Sequence, residues 1–199
     1  MINTRLNLIE KLEGLFPTGR GVEIGVFKGQ FSKEILSKWG GTLYMVDVWR
    51  PLGDEYEDCA NHSAHTDAYV ETMDNIRGLE ERGIMIRSNS REASSIFADE
   101  SLDFIYIDAN HAYEFVKEDI NFWFPKLRQG GIFAGHDYLP LDWSREPLHV
   151  NGKDKYIYSE TGSYFGIFGV NPAVDEFCSE RGYSPNITSE WFGTWWIIK

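Results

Sequence analysis

The chain has 199 residues, 42% of them hydrophobic and 25% charged, which by length is one domain with enough apolar content for a real core. Its 31 acidic against 19 basic residues give a net charge of -12 with no run of Lys or Arg, which argues against a nucleic-acid backbone as partner. No apolar run approaches the ~20 residues that span a bilayer, the N-terminus lacks a secretory pattern, and Cys59 and Cys178 lie in no Cys-x-x-Cys motif, so a cytoplasmic protein with reduced thiols is expected.

In chain order, Asn3–Leu15 carries Leu6, Ile9, Leu12 and Leu15 three apart and is expected as a helix, closed by Phe16-Pro17-Thr18-Gly19. Gly21–Gly25 reads as a first strand and Phe31–Trp39 as a helix stopped by Gly40-Gly41. Thr42–Val48 is a second strand, with Asp47 at its end. A loop is expected from Trp49 to about Thr66, a helix from there to about Arg82, and Gly83 leads into strand Ile84–Arg87. Ser94–Phe97 reads as a short helix and Leu102–Ile107 as a strongly apolar strand ending at Asp108. Ala112–Leu127 has helical periodicity and closes on Gln129-Gly130-Gly131. Ile132–Gly135 is the next strand, ending at His136-Asp137. Tyr138–Ser163 is polar, aromatic and irregular. Pro172–Arg181 is a helix with Pro in its first turn, and Ser184–Ile187 and Thr194–Ile198 close the chain as a strand pair.

Strands alternating with helices imply a parallel sheet covered on both faces, with right-handed crossovers and a ligand beyond the carboxyl ends of the strands. The polar residues gather at those ends: Glu23, Asp47, Ser88 to Ser90, Asp108 to His111, and His136 with Asp137. No internal repeat, low-complexity segment or domain linker interrupts the pattern.

The first strand runs into Glu23-Ile24-Gly25-Val26-Phe27-Lys28-Gly29, with a helix starting behind it. Gly25 and Gly29 lack a Cβ, so backbone there can approach a ligand closely. The spacing lacks the third glycine of the dinucleotide fingerprint, which disfavours a nicotinamide-dependent oxidoreductase, and it lacks the Gly-Lys-Ser/Thr of a P-loop. A nucleoside-bearing cofactor without a pyrophosphate suits such a turn.

The residues Glu23 to Gly29, Asp47 after the second strand, the tract Ile107-Asp108-Ala109-Asn110-His111-Ala112-Tyr113 and the tract from Gly130 to Tyr138 together resemble a class I S-adenosylmethionine-dependent methyltransferase. The last tract is similar to the small-molecule branch known as methyltransferase domain 24. The resemblance covers about residues 20 to 199, including Thr194 to Lys199. It implies a Rossmann-like α/β fold with a seven-stranded sheet in the order 3-2-1-4-5-7-6, strand 7 antiparallel and helices on both faces. The whole chain would form one methyltransferase domain, with residues 1–18 as an N-terminal helix and 138–165 as an insert near the acceptor site.

The resemblance also assigns roles. Glu23, Gly25 and Gly29, with Phe27 and Ser32 in the same turn, would hold the methionine part of S-adenosylmethionine, Glu23 facing its amino group. Asp47 would accept from both ribose hydroxyls, a geometry that suits a carboxylate. Val48 and Trp49 would pack on the adenosine, Asn89 and Ser90 would meet the adenine, and Asp108 would complete the cofactor site.

Asp108 and His136-Asp137 sit at adjacent strand tips, where oxygen and imidazole ligands can hold Mg²⁺ or a similar ion. Catechol-type relatives carry an acid then an amide at the second tip. Here His136 then Asp137 stands there, and His favours softer metals or acts as a base. His111, His136 and Asp137 are the candidate catalytic residues, an imidazole taking the proton of an acceptor hydroxyl. His62 and His65, with Asp54, Glu55, Glu57 and Asp58, form either a flap over the pocket or a solvated acidic loop. Trp143, Arg145, His149, Lys153, Lys155, Tyr156 and Tyr158 would suit a sugar, phenol or anionic acceptor. The expectation is O-methylation of a small molecule, with a homo-oligomer left open. The rival readings are a non-catalytic cofactor-binding module and a different enzyme on the same scaffold.

Overall fold

The protein is described from a computed structural model, which covers residues 2–50, 64–139, 148–150, 153–155 and 169–199. The elements run α1 (Arg5–Leu15), β1 (Arg20–Ile24), α2 (Gln30–Lys38), β2 (Thr42–Asp47), α3 (Ala64–Asn75), β3 (Gly83–Arg87), α4 (Ser90–Ser94), β4 (Leu102–Ile107), α5 (Tyr113–Trp123), β5 (Leu127–Tyr138), α6 (Val170–Arg181), β6 (Asn186–Ile187) and β7 (Gly193–Ile198). A short hairpin, Leu148–Val150 with Lys153–Lys155, stands apart from the main sheet.

The sheet has seven strands in the order β3-β2-β1-β4-β5-β7-β6, as the resemblance implies. The first five are parallel, and β7 pairs antiparallel with β5. Strand β4 explains why the centre is where it is. All six of its residues are buried, the signature of a parallel strand covered on both faces. Its side chains alternate between two apolar layers. Ile105 and Ile107 join Val22, Phe133, Trp123 and Phe177 on the α5–α6 side. Phe104 and Tyr106 join Leu12, Ile35, Met45 and Trp49 on the α1–α2–α3 side.

Several element boundaries differ from the sequence expectation. In α1 the buried residues are Leu8, Ile9 and Leu12, while Leu6 and Leu15 are exposed. Residues three apart turn 300° around the axis, so four in succession sweep half the helix and cannot share one face. The short helix expected at Ser94–Phe97 forms earlier, at Ser90–Ser94, because the Asn89 side chain accepts from the Glu92 N–H at 2.8 Å and caps it. Helix α5 stops at Trp123 and passes through one 3-10 turn, Phe124–Lys126, since Pro125 can neither donate nor fit in the helix interior. Strand β5 then begins at Leu127, five residues before the expected start. The expected flap with His62 and most of the expected acceptor insert lie outside the described residues, and the side chains of His65 and His149 with them.

Candidate functional site

A cavity of about 890 Å³ lies along the carboxyl ends of the parallel strands. Its wall includes Glu23 in β1 with Gly25 and Phe27 in the turn after it, Asp47 at the end of β2 and Val48 beyond it, Asn89 and Ser90 beyond β3, Asp108 and His111 beyond β4, and His136 in β5. The topology places all of these from sequence positions over a hundred residues apart.

The β1 turn is built by tertiary constraint. Gly25 adopts φ 86° and a Cβ there would drive into the carbonyl oxygen of Asp108. Its freedom therefore serves the close approach of two backbone segments, Gly25 N–H donating to Val46 and Asp108 N–H to Ile24. Gly29, at φ 72°, is the N-cap of α2, and a Cβ would press on Thr72 of α3. It does not line the cavity and sits where α2 packs against α3. Helix α3 holds the turn: Thr72 Oγ1 donates to the Phe27 carbonyl at 3.0 Å and Asn75 Nδ2 to the Lys28 carbonyl at 2.9 Å. Phe27 is thereby fixed at φ 51°, a left-handed conformation rare for a bulky residue.

Asp47 is preorganised by the same turn. Its Oδ2 accepts the Phe27 N–H and its Oδ1 the Trp49 N–H, each at 2.8 Å. Each carboxylate oxygen keeps a second lone pair for a ligand hydroxyl. Trp49 itself is placed differently from the expectation. Its ring is fully buried, its Nε1 donates to the Phe27 carbonyl at 2.8 Å, and it packs edge-on against Tyr69. It supports the turn from behind and does not line the cavity. Ser32 is also behind the wall, its hydroxyl donating to Glu23.

Glu23 is almost wholly buried, and burial pushes its carboxyl up to about 8. The negative charges of Asp108 and Asp47 add to the rise, while Ser32 and Arg5 oppose it. A buried acid of this kind is ready to ionise when a cation arrives.

The β5 tip carries the other half of the site. The pairing of β5 with β7 slips between Gly135 and Tyr138, and Asp137 sits at φ 60°. This break in the pleat lets the neighbouring side chains of His136 and Asp137 meet, instead of pointing to opposite faces. Asp137 Oδ1 stands 2.9 Å from His136 Nδ1 and Oδ2 stands 2.6 Å from His111 Nε2. Burial raises the Asp137 carboxyl, but hydrogen bonds and charge from His111 and His136 prevail and hold it well below the usual carboxylate range. Both imidazoles line the cavity, while Asp137 does not line it and contacts both of them.

Asp108, His111 and Asp137 each offer a ligand atom, all within 4.8 Å of one another. The set has His111 where the sequence expectation has His136; His111 Nε2 is 3.7 Å and His136 Nδ1 3.9 Å from Asp108. Two carboxylate oxygens and an imidazole fit a borderline divalent ion better than Mg²⁺ or Ca²⁺.

The cavity has parts the sequence reading missed. Arg5 reaches it from α1, and its signal was absent because only tertiary docking of α1 brings it there. Phe115, Glu118, Asp119 and Phe122 line it from α5, at spacings of three and four that mark one helical face. Asp119 accepts from the Ser90 hydroxyl, which in turn accepts from Trp123 Nε1 at 2.8 Å. Burial raises Asp119 to about 7, against the lowering effect of the Ser90 bond. Asn89 and Ser90 thus spend their side chains on capping and on Asp119 while lining the wall.

A family model described as a methyltransferase domain, of the domain 24 type, matches residues 22–138, more than half of the chain. Among curated protein sequences none matches significantly. Solved structures share the fold at low identity. One from Staphylococcus aureus, assigned as a caffeoyl-CoA O-methyltransferase, is similar at 17% identity and TM-score 0.66, over 100% of this chain and 85% of that one. An O-methyltransferase from Bacillus cereus in complex with S-adenosylhomocysteine is similar at 14% identity and TM-score 0.60, over 100% and 82%. The O-methyltransferase TomG from Streptomyces achromogenes, involved in tomaymycin synthesis and bound to S-adenosylmethionine, is similar at 12% identity and TM-score 0.60, over 98% and 79%. With its strand order, its glycine turn and its acidic strand tips in place, the chain belongs to the methyltransferase domain 24 family of class I, S-adenosylmethionine-dependent methyltransferases.

Proposed function

We propose that this protein transfers the methyl group of S-adenosylmethionine to a hydroxyl of a small molecule, with His136 as the general base. One observation carries the reading: two imidazoles from neighbouring strand tips share one buried carboxylate and line the same cavity as the β1 turn. The cofactor supplies an electrophilic methyl on a sulfonium centre. Glu23 faces the cofactor's ammonium group and Asp47 its ribose, on the lone pairs left by Phe27 and Trp49. His136 gives its Nδ1–H to Asp137, so its lone pair lies on Nε2, the nitrogen that accepts a proton. Asp137 fixes that tautomer and stabilises the imidazolium as it forms. Positioning of the acceptor oxygen against the methyl supplies most of the remaining rate. The O-methyltransferase neighbours support oxygen as the acceptor atom.

The test is methyl transfer from labelled S-adenosylmethionine to panels of phenols, catechols and sugar hydroxyls, with the product atom identified by mass spectrometry. His136→Asn should lower kcat by at least about 100-fold with cofactor affinity retained. A variant with wild-type kcat would remove His136 as the base. Cofactor binding with no transfer to any acceptor would favour the binding-module reading.

A metal-assisted variant of the same reaction rests on the Asp108, His111 and Asp137 ligand set. An ion held there would polarise the acceptor oxygen and lower its pKa.

A further inference from the structure

We propose that Arg5, the first residue of α1, is the carboxylate receptor of the cofactor site, so that Arg5 and Glu23 together read the two opposite charges of the cofactor's amino-acid end. The inference rests on the S-adenosylmethionine reading above and adds a residue that the glycine-turn motif does not contain.

Three observations converge on it. The first is place. Arg5 lines the same cavity as Glu23, and its guanidinium lies 4.6 Å over the ring of Phe31. The positive charge of Arg5 acts on the buried Glu23 carboxyl, so the guanidinium and the acid stand near one another on the cavity wall. The second is rigidity. The Arg5 backbone N–H is held by both oxygens of Glu190, at 2.7 and 3.0 Å, and Ser189 N–H donates to the Asn3 carbonyl at 3.0 Å. The start of α1 is therefore latched to the β6–β7 hairpin, and the side chain leaves from a fixed point. Its tip is supported by stacking on Phe31 and lies against the Tyr106 hydroxyl.

The third is charge. The cavity wall is rich in carboxylates: Glu23, Asp47, Asp108, Glu118 and Asp119. An incoming carboxylate needs a cation placed against that field. Lys28 is engaged by Glu71 at 3.0 Å, and Arg91 lies over Phe122 on the α5 side. Arg5 is the guanidinium beside Glu23, and its planar fork matches a carboxylate in a way a lysine does not. A zwitterionic amino acid then finds Glu23 for its ammonium and Arg5 for its carboxylate.

The inference predicts selectivity that calorimetry can read with three probes. These are S-adenosylhomocysteine, its decarboxylated analogue that keeps the amine, and methylthioadenosine, which lacks both charges. In the wild-type protein, loss of the carboxylate should weaken binding by about 10- to 100-fold, the span expected of hydrogen bonds to a charged group. In Arg5→Gln that difference should largely vanish, while methylthioadenosine binds as before. Arg5→Lys should keep part of the discrimination. Equal wild-type affinity for the first two probes, or full discrimination retained in Arg5→Gln, overturns the proposal. Equal weakening of all three probes in Arg5→Gln also overturns it, since that marks a prop for the cavity wall. If Arg5→Gln does not fold, the wild-type ligand series and Arg5→Lys decide. A wild-type protein that binds none of the three overturns the cofactor reading itself.

Discussion

At the scale of single residues, the site combines two acids held up by burial with one held down by its partners. Glu23 is mostly protonated at pH 7, because its carboxyl sits at about 8. An ammonium placed against it shifts that balance, so cofactor binding at pH 7 should release close to one proton. Calorimetry in buffers of different ionisation enthalpy measures this directly. Glu23→Gln should abolish the release, and a wild-type value near zero would refute the contact. The acid was legible in the sequence as a strand-tip residue before Gly25. Its protonation was not, because that depends on Ser32, Asp108 and Arg5 closing around it in space.

At the scale of elements, the glycine turn is a joint between strands before it is a ligand cradle. Gly25→Ala should cost on the order of 3 kcal/mol, from a left-handed backbone and overlap with the Asp108 carbonyl. Urea denaturation of the protein without cofactor is the measurement. Loss of cofactor affinity at unchanged stability would restore the reading that the glycine serves the ligand alone. The latch on α1 makes a second prediction. Glu190→Ala removes a carboxylate from the helix N-terminus and should lower stability by about 1 kcal/mol in the same experiment. The strands were legible because apolar runs such as Leu102–Ile107 end in acids. Helix faces were less so: α1 was placed correctly, but its buried face turns on Leu8, which the three-residue spacing passed over.

At the scale of the whole molecule, the buried acids set the response to pH. Glu23 and Asp119 have folded values of about 8 and about 7, above those of the unfolded chain. Their stabilising contribution is complete below the unfolded values and is lost as pH rises through the folded ones. Asp137 is held low, so its contribution is present above its unfolded value and is lost only in strong acid. The Tm of the cofactor-free protein should therefore peak in mild acid, near pH 4 to 5, and fall toward pH 8. Glu23→Gln and Asp119→Asn should each flatten that fall, and a wild-type Tm that rises between pH 5 and 8 would contradict the assignment. Chelation probes the strand tips as a unit. If an ion at Asp108, His111 and Asp137 assists transfer, a chelator should abolish activity and a divalent transition metal restore it. Activity indifferent to chelation leaves His136 and Asp137 to act alone. None of the described helices is long and apolar enough to cross a membrane, in keeping with the composition.

The left-handed backbone at Asp137 narrows what this position can become. A φ of 60° favours Gly, Asn and Asp and disfavours β-branched or bulky side chains, which bear it only where the surrounding structure holds them, as at Phe27. Of the three, Gly offers neither imidazole a partner and Asn brings no charge to share between them. Chain geometry and proton chemistry thus select the same letter independently. Directed-evolution libraries at this codon should collapse to aspartate when selected for methyl transfer, but retain asparagine and glycine when selected only for folding.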